Sequence, residues 1–100
     1  NFENASYGAT ICAERCAVGN AVSSGARRFT AIAVVGRAGE DGWTIAWPCG
    51  ICRQVLNEFK AGGDMAVMVG GKNVPWKTKM LSELLPESFG PEDLHIQEEN

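Results

Sequence analysis

Cys12, Glu14, Cys49 and Cys52 are the residues of this chain best suited to chemistry, because they fall in two compact motifs, Cys12-Ala13-Glu14 and Pro48-Cys49-Gly50-Ile51-Cys52. Two cysteines three apart at a helix start can turn both sulfurs toward one ion. The helix N-terminus also offers positive dipole charge to a thiolate and lowers the thiol pKa. A third sulfur from Cys12 would leave the fourth tetrahedral position of Zn²⁺ open, the arrangement of a catalytic zinc and not of a closed structural one. Water in that position has its pKa drawn toward ~7. Glu14 stands too close to Cys12 to be a fourth ligand beside it, yet it can reach the open position and carry a proton there.

Other readings of the same residues are open at this level. Three buried free thiols would also account for cysteines, which are among the most buried residue types. Cys16 follows Cys12 by one helical turn, away from the dipole, and is expected to be a packing residue. If it did bind, Cys12, Cys16, Cys49 and Cys52 would close a structural site and the chain would be a binding module. A thioredoxin-like redox CxxC would need neither Cys12 nor Glu14. His95 has no ligand spacing with the cysteines and is expected to be inert.

The elements that must hold these motifs are legible from periodicity. Ala13, Ala17, Val18, Ala21 and Val22 make an apolar stripe at helical spacing within residues 11–24, ended by Ser24-Gly25. Phe29 to Val35 is a nearly unbroken apolar run with β-branched residues, expected as a strand covered on both faces. Residues 37–48 carry Gly, Asp and Pro and are expected as a loop, extended at Trp43 to Ala46. A second helix follows Pro48, with Ile51, Val55, Leu56 and Phe59 inward, Arg53, Gln54, Asn57 and Glu58 outward, and a stop at Gly62-Gly63. Met65 to Val69 is expected as a buried strand, Gly70 to Asn73 as a turn, Val74 to Thr78 as an edge strand, and Leu81 to Leu85 as a short helix ended by Pro86. Helices alternating with apolar strands imply an α/β fold, a three-layer α/β/α sandwich with a mixed, mostly parallel sheet.

Size and charge narrow the function. A chain of 100 residues, 45% hydrophobic and 21% charged, fits one globular domain, here residues 1–94 with an acidic tail at 95–100. So short a domain gains from a metal, a partner subunit or both. No run approaches the ~20 apolar residues of a membrane span, and no basic segment followed by an apolar run marks a secretory signal. The expected compartment is the cytoplasm, where thiols stay reduced. A formal charge of −3, with only Arg27-Arg28 as a basic pair, argues against a nucleic-acid polymer as partner.

The blocks NFENASY, CAER, PCGICRQV and LLPESFGPEDL, in that order from Asn1 to about Leu94, resemble the cytidine deaminase family of small, homotetrameric, three-cysteine zinc enzymes. The resemblance implies zinc on Cys12, Cys49 and Cys52, with Glu14 as proton shuttle. It implies Asn1 and Glu3 on the ribose 3′-hydroxyl, and backbone near Ala13 on the pyrimidine edge. Arg15 would donate to the thiolates, a useful offset because three thiolates and one Zn²⁺ sum to −1. Ala5, Tyr7 and Phe89 would contact substrate in a neighbouring subunit of the tetramer. The implied reaction is hydrolytic deamination of free cytidine or deoxycytidine in pyrimidine salvage, with a modified nucleoside or nucleoside antibiotic as the alternative substrate.

The sequence departs from the family pattern where Cys16 replaces a usual Thr and Trp47 replaces a small residue before the Pro. The family's first helix and first two strands, which carry a substrate-facing Phe, have no counterpart in the chain. Strand Phe29 to Val35 is therefore expected to want cover.

Overall fold

The computed structural model describes residues 1–40, 42–60 and 63–94. His95, the acidic tail and Gly62 lie outside them. The first residues fold back on themselves: Phe2 pairs antiparallel with Ile11, through N–H···O bonds of 3.0 and 3.1 Å, around a 3₁₀ turn at Tyr7–Ala9. Asn4 holds that bend, its side-chain oxygen accepting the Ser6 N–H at 2.8 Å.

Helix α1 runs Ala13–Ser23 with Cys12 as its N-cap. Its end is a Schellman motif, in which the Ala26 N–H reaches the Ala21 carbonyl and the Gly25 N–H reaches the Val22 carbonyl, each at 3.0 Å. Gly25 has φ +103°, a conformation that costs glycine little and explains the predicted stop.

Strand β1 is Ala31–Arg37, two residues later than expected. Phe29 instead makes an isolated parallel bridge with Lys60, its N–H donating to the Phe59 carbonyl at 2.7 Å. Strand β2 is only Trp43–Thr44. Helix α2, Gly50–Asn57, ends well before Gly63, because the Glu58 and Phe59 N–H groups tighten onto Val55 and Leu56 and the chain then turns into the Phe29 bridge. Strand β3 is Ala66–Gly71 and strand β4 Val74–Met80, so the turn between them is Lys72-Asn73 alone, with Asn73 at φ 61°. Gly70 and Gly71 belong to the strand because indoles occupy the space of their missing side chains, Trp76 over Gly70 and Trp43 over Gly71. Helices α3, Leu81–Leu84, and α4, Pro91–Leu94, complete the order.

The fold is α/β with a mixed four-stranded sheet in the order β2-β1-β3-β4. The parallel share is smaller than expected, since β1 and β3 pair in parallel while β1–β2 and β3–β4 are antiparallel. The β3–β4 connection is a two-residue hairpin, which can only join antiparallel strands. One helical layer is present among the described residues: Val18 of α1, Leu56 of α2 and Leu81 of α3 join Met65 and Val67 in a single core, with Ile32 and Trp47 packed against it. Trp47 also lies 5.7 Å beneath the Lys79 ammonium, so this unusual residue is a core aromatic with a cationic lid.

Strand β1 is covered on one face only, a correction to the two-sided expectation. Ile32 and Val34 turn toward the helices while Ala31, Ala33 and Val35 are exposed. Between Ala31 and Val35 its edge opposite β3 pairs with no strand among the described residues.

Asp64 joins the start of β3 to α3. Its carboxylate accepts the Met65 N–H at 2.9 Å, the Ser82 N–H at 3.1 Å and the Ser82 hydroxyl at 2.7 Å. Burial pushes its pKa up, but these donors, with Lys60 nearby, outweigh that and hold it below the ordinary value. Asp64→Ala should cost about 1 to 2 kcal/mol at pH 7 by stripping a helix cap. A depressed carboxylate contributes its stability above the unfolded pKa and loses it as pH falls through the folded one. Urea midpoints should therefore differ between variant and wild type at pH 7 and converge as the pH falls well below 4. A constant gap down to pH 2 would show that the carboxylate charge plays no part.

Candidate active site

Two helix starts meet at the candidate site. Cys12 caps α1 and Cys49 caps α2, both with extended backbone (ψ 154° and 171°), and Cys52 lies in the first turn of α2. The ligand atoms of the three lie within 4.8 Å of one another, with Cys12–Cys49 at 3.9 Å and Cys49–Cys52 at 3.5 Å between sulfurs. Sulfurs bound tetrahedrally to one Zn²⁺ at ~2.3 Å stand about 3.8 Å apart, so these positions fit zinc. Cys16 is not part of this cluster, which removes the closed four-cysteine site. All four cysteines are free thiols.

The three sulfurs differ in surroundings. Cys49 is exposed, and its thiol pKa is lowered, chiefly by the Cys52 backbone N–H at the helix start. Cys52 is fully buried, and desolvation, with the neighbouring Cys49 and Cys12 sulfurs, pushes its thiol up to about 12 in the metal-free protein. Arg15 works against this. Its Nη2 donates to the Thr10 carbonyl at 3.2 Å and lies 3.9 Å from the Cys12 sulfur, and its own pKa is raised by Cys12 first and Cys52 second. Its Nε–H is buried without an acceptor among the described residues.

Glu14 is half-buried, and its charge is one of the influences raising Cys52, so carboxylate and sulfurs share one neighbourhood. A cleft of about 200 Å³ opens beside it, lined by Ala13, Glu14 and Ala17 of α1 and by Ile32 to Val35 of β1. The Phe2–Ile11 bridge sets Asn1 and Glu3, both exposed, beside Ile11, the residue before Cys12. Ala5 and Tyr7 sit at the exposed bend, Tyr7 at 89% exposure. Phe89 is 58% exposed, in the segment between α3 and α4.

Three polar residues of α2 were read from sequence as its solvent side, and the structure gives them partners. Arg53 donates to the Pro48 carbonyl at 2.6 Å and to the Leu84 carbonyl at 2.8 Å. Gln54 and Asn57 both donate to the Phe89 carbonyl, at 2.8 and 3.3 Å. Asn57 is only 2% exposed, against expectation. Apart from the Pro48 carbonyl, five positions before Arg53, their acceptors are backbone carbonyls more than thirty positions away, which leave no mark in residue types.

Residues 1–69 match the family described as the cytidine and deoxycytidylate deaminase zinc-binding region. The chain is 44% identical over 94 residues to a cytidine deaminase of Sporosarcina psychrophila, covering 94% of this chain and 65% of that protein. It is 42% identical over 95 residues to one of Mycobacterium tuberculosis, covering 94% of this chain and 63% of that protein. Its fold matches the crystal structure of a cytidine deaminase from Burkholderia pseudomallei with a TM-score of 0.67 and 35% identity, over 87% of this chain and 66% of that one. The chain thus spans about two thirds of the length of these relatives. With a family match that spans most of the chain and three clustered sulfurs within the matched residues, the chain belongs to the zinc-binding cytidine and deoxycytidylate deaminase family.

Proposed function

We propose that this chain carries the chemistry of a hydrolytic deaminase that converts free cytidine or deoxycytidine, with water, to uridine or deoxyuridine and ammonia. The observation that carries the reading is the three-sulfur cluster at two helix starts, with Glu14 beside it at the mouth of a cleft. When bound, zinc supplies Lewis-acid activation of the attacking water. Glu14 takes a proton from that water and delivers it to the ring nitrogen as oxygen bonds to the amine-bearing ring carbon. It then carries the second proton of that oxygen to the amine, so that the C–N bond breaks and nitrogen departs as ammonia. Backbone at Ala13 reads the pyrimidine edge, and Asn1 and Glu3 hold the ribose 3′-hydroxyl. Arg15 offsets the thiolate charge that would otherwise weaken the Lewis acid.

The exposed Tyr7 and Phe89, with Ala5, suit contacts across a homotetramer interface. Four free thiols suit a reducing cytoplasm and a place in pyrimidine salvage. No helix among the described residues is long and apolar enough to cross a membrane.

Glu3 sets the substrate size. A polynucleotide would continue from the 3′-oxygen as a phosphate diester, facing this anion. At ~4 Å the repulsion is about 1 kcal/mol in water and about 4 kcal/mol at an effective dielectric of 20, and no cluster of Lys or Arg offsets it. Ultraviolet assays should show turnover of cytidine and deoxycytidine with little dependence on salt, since no condensed counterions are released. Single-stranded oligonucleotides deaminated as fast as cytidine would overturn the nucleoside assignment.

A further inference from the structure

Cys49 and Cys52 must hold their sulfurs at fixed separations, yet Cys49 is exposed and sits at the junction between an irregular loop and an eight-residue helix. Backbone bonds inside α2 begin only with the Arg53 N–H, which reaches the Cys49 carbonyl at 2.9 Å. The peptide entering Cys49 therefore needs support from outside the helix ladder.

That support is the side chain of Arg53. Its Nε–H donates to the Pro48 carbonyl at 2.6 Å, which fixes the plane of the peptide leading into Cys49. Its Nη1 donates to the Leu84 carbonyl at 2.8 Å, at the end of α3. The far anchor is itself held: Leu81 is 1% exposed in the core, and the segment beyond Leu84 is bound to α2 through Gln54 and Asn57 on the Phe89 carbonyl. A guanidinium offers donors in a rigid planar fork, so it can span two carbonyls whose directions differ. A lysine ammonium cannot hold both in one plane.

We propose that Arg53 is a positioning residue of the metal centre, a bracket between the turn that carries Cys49 and Cys52 and the end of α3. It touches neither the ion nor a sulfur, and acts by setting where the Cys49 sulfur can lie. The proposal rests on the metal centre and not on the deaminase reading, so its test uses no activity assay.

The test compares Arg53→Lys and Arg53→Gln with wild type and with Val69→Ala, a variant destabilised at a buried position of β3 outside the core that joins α2 to α3. Zinc affinity is measured by competition with a chromogenic chelator on the loaded protein, beside thermal midpoints. Partners one step beyond a metal's ligands typically contribute 10 to 100-fold in affinity, and a loss of that size is expected for Arg53→Gln. Arg53→Lys should recover little of it, and both should alter the visible bands of the cobalt-substituted protein, which report ligand geometry. Val69→Ala should keep its zinc affinity within about threefold and leave the cobalt spectrum unchanged, as expected of sites that share no partner. If Arg53→Gln lost no more affinity than Val69→Ala at a similar thermal midpoint, Arg53 would be only a packing residue and the proposal would fall. Full recovery by Arg53→Lys would assign the effect to charge alone and equally overturn the bracket. Should Arg53→Gln not fold, Arg53→Lys with an unchanged cobalt spectrum and wild-type affinity is the overturning result.

Discussion

Cys52→Ala should yield a protein that retains no zinc and shows no cooperative thermal transition. Cys52 is the fully buried member of the sulfur cluster, and it lies within the first turn of α2, its sulfur 3.5 Å from that of Cys49. Zinc binding to a thiolate site is worth on the order of 10 kcal/mol of folding free energy. The whole stability of a domain is commonly about 5 to 15 kcal/mol, so losing the site is enough to unfold a chain of this size. Metal analysis and a calorimetric scan check both halves. Full zinc content with a wild-type transition would remove Cys52 from the ligand set.

The same residue makes zinc uptake depend on pH. Its thiol is pushed up to about 12 without metal, chiefly by desolvation, so binding at neutral pH must displace its proton. Affinity should rise with pH by about tenfold per unit for each proton released.

Glu14→Gln should do the opposite to stability and activity. The amide keeps the shape of the carboxylate and leaves the sulfurs untouched, so zinc and fold persist. Turnover of cytidine should fall by ~10² to 10⁴, the usual contribution of a general acid or base, or about 3 to 5 kcal/mol of barrier. Removing the charge also removes one of the influences that raise Cys52, so zinc should bind no more weakly than in wild type. Normal turnover with full zinc would make Glu14 an ordinary first-turn acid and direct the search for a proton carrier elsewhere.

The chemistry was legible because it is local. Cys12 with Glu14, and Cys49 with Cys52, are separated by one turn or less, and a helix start fixes such neighbours relative to each other whatever the rest of the chain does. The exclusion of Cys16 followed from the same geometry, and the sulfur cluster agrees with it. Element types were legible too, from the alanine stripe of α1 and the apolar runs of β1 and β3. Boundaries were less so. Phe29 reads as strand but forms only a bridge, and Phe59 reads as helix but lies past its end, because each answers to the other across the fold: the Phe29 N–H is held by the Phe59 carbonyl and the rings lie 5.4 Å apart.

By itself, then, the sequence determined the local spacing of Cys12 with Glu14 and of Cys49 with Cys52, which points to zinc, and the α/β alternation that presents them. Tertiary structure decided the rest. It brought Cys12 within 3.9 Å of Cys49, paired β1 and β3 in parallel, buried Asn57, and gave Arg53 the Leu84 carbonyl. The physical reason is the identity of the partners. Side-chain types and their periodicity are written in the sequence, whereas every backbone carbonyl is alike, and which one a guanidinium or an amide meets is fixed only when distant segments pack together.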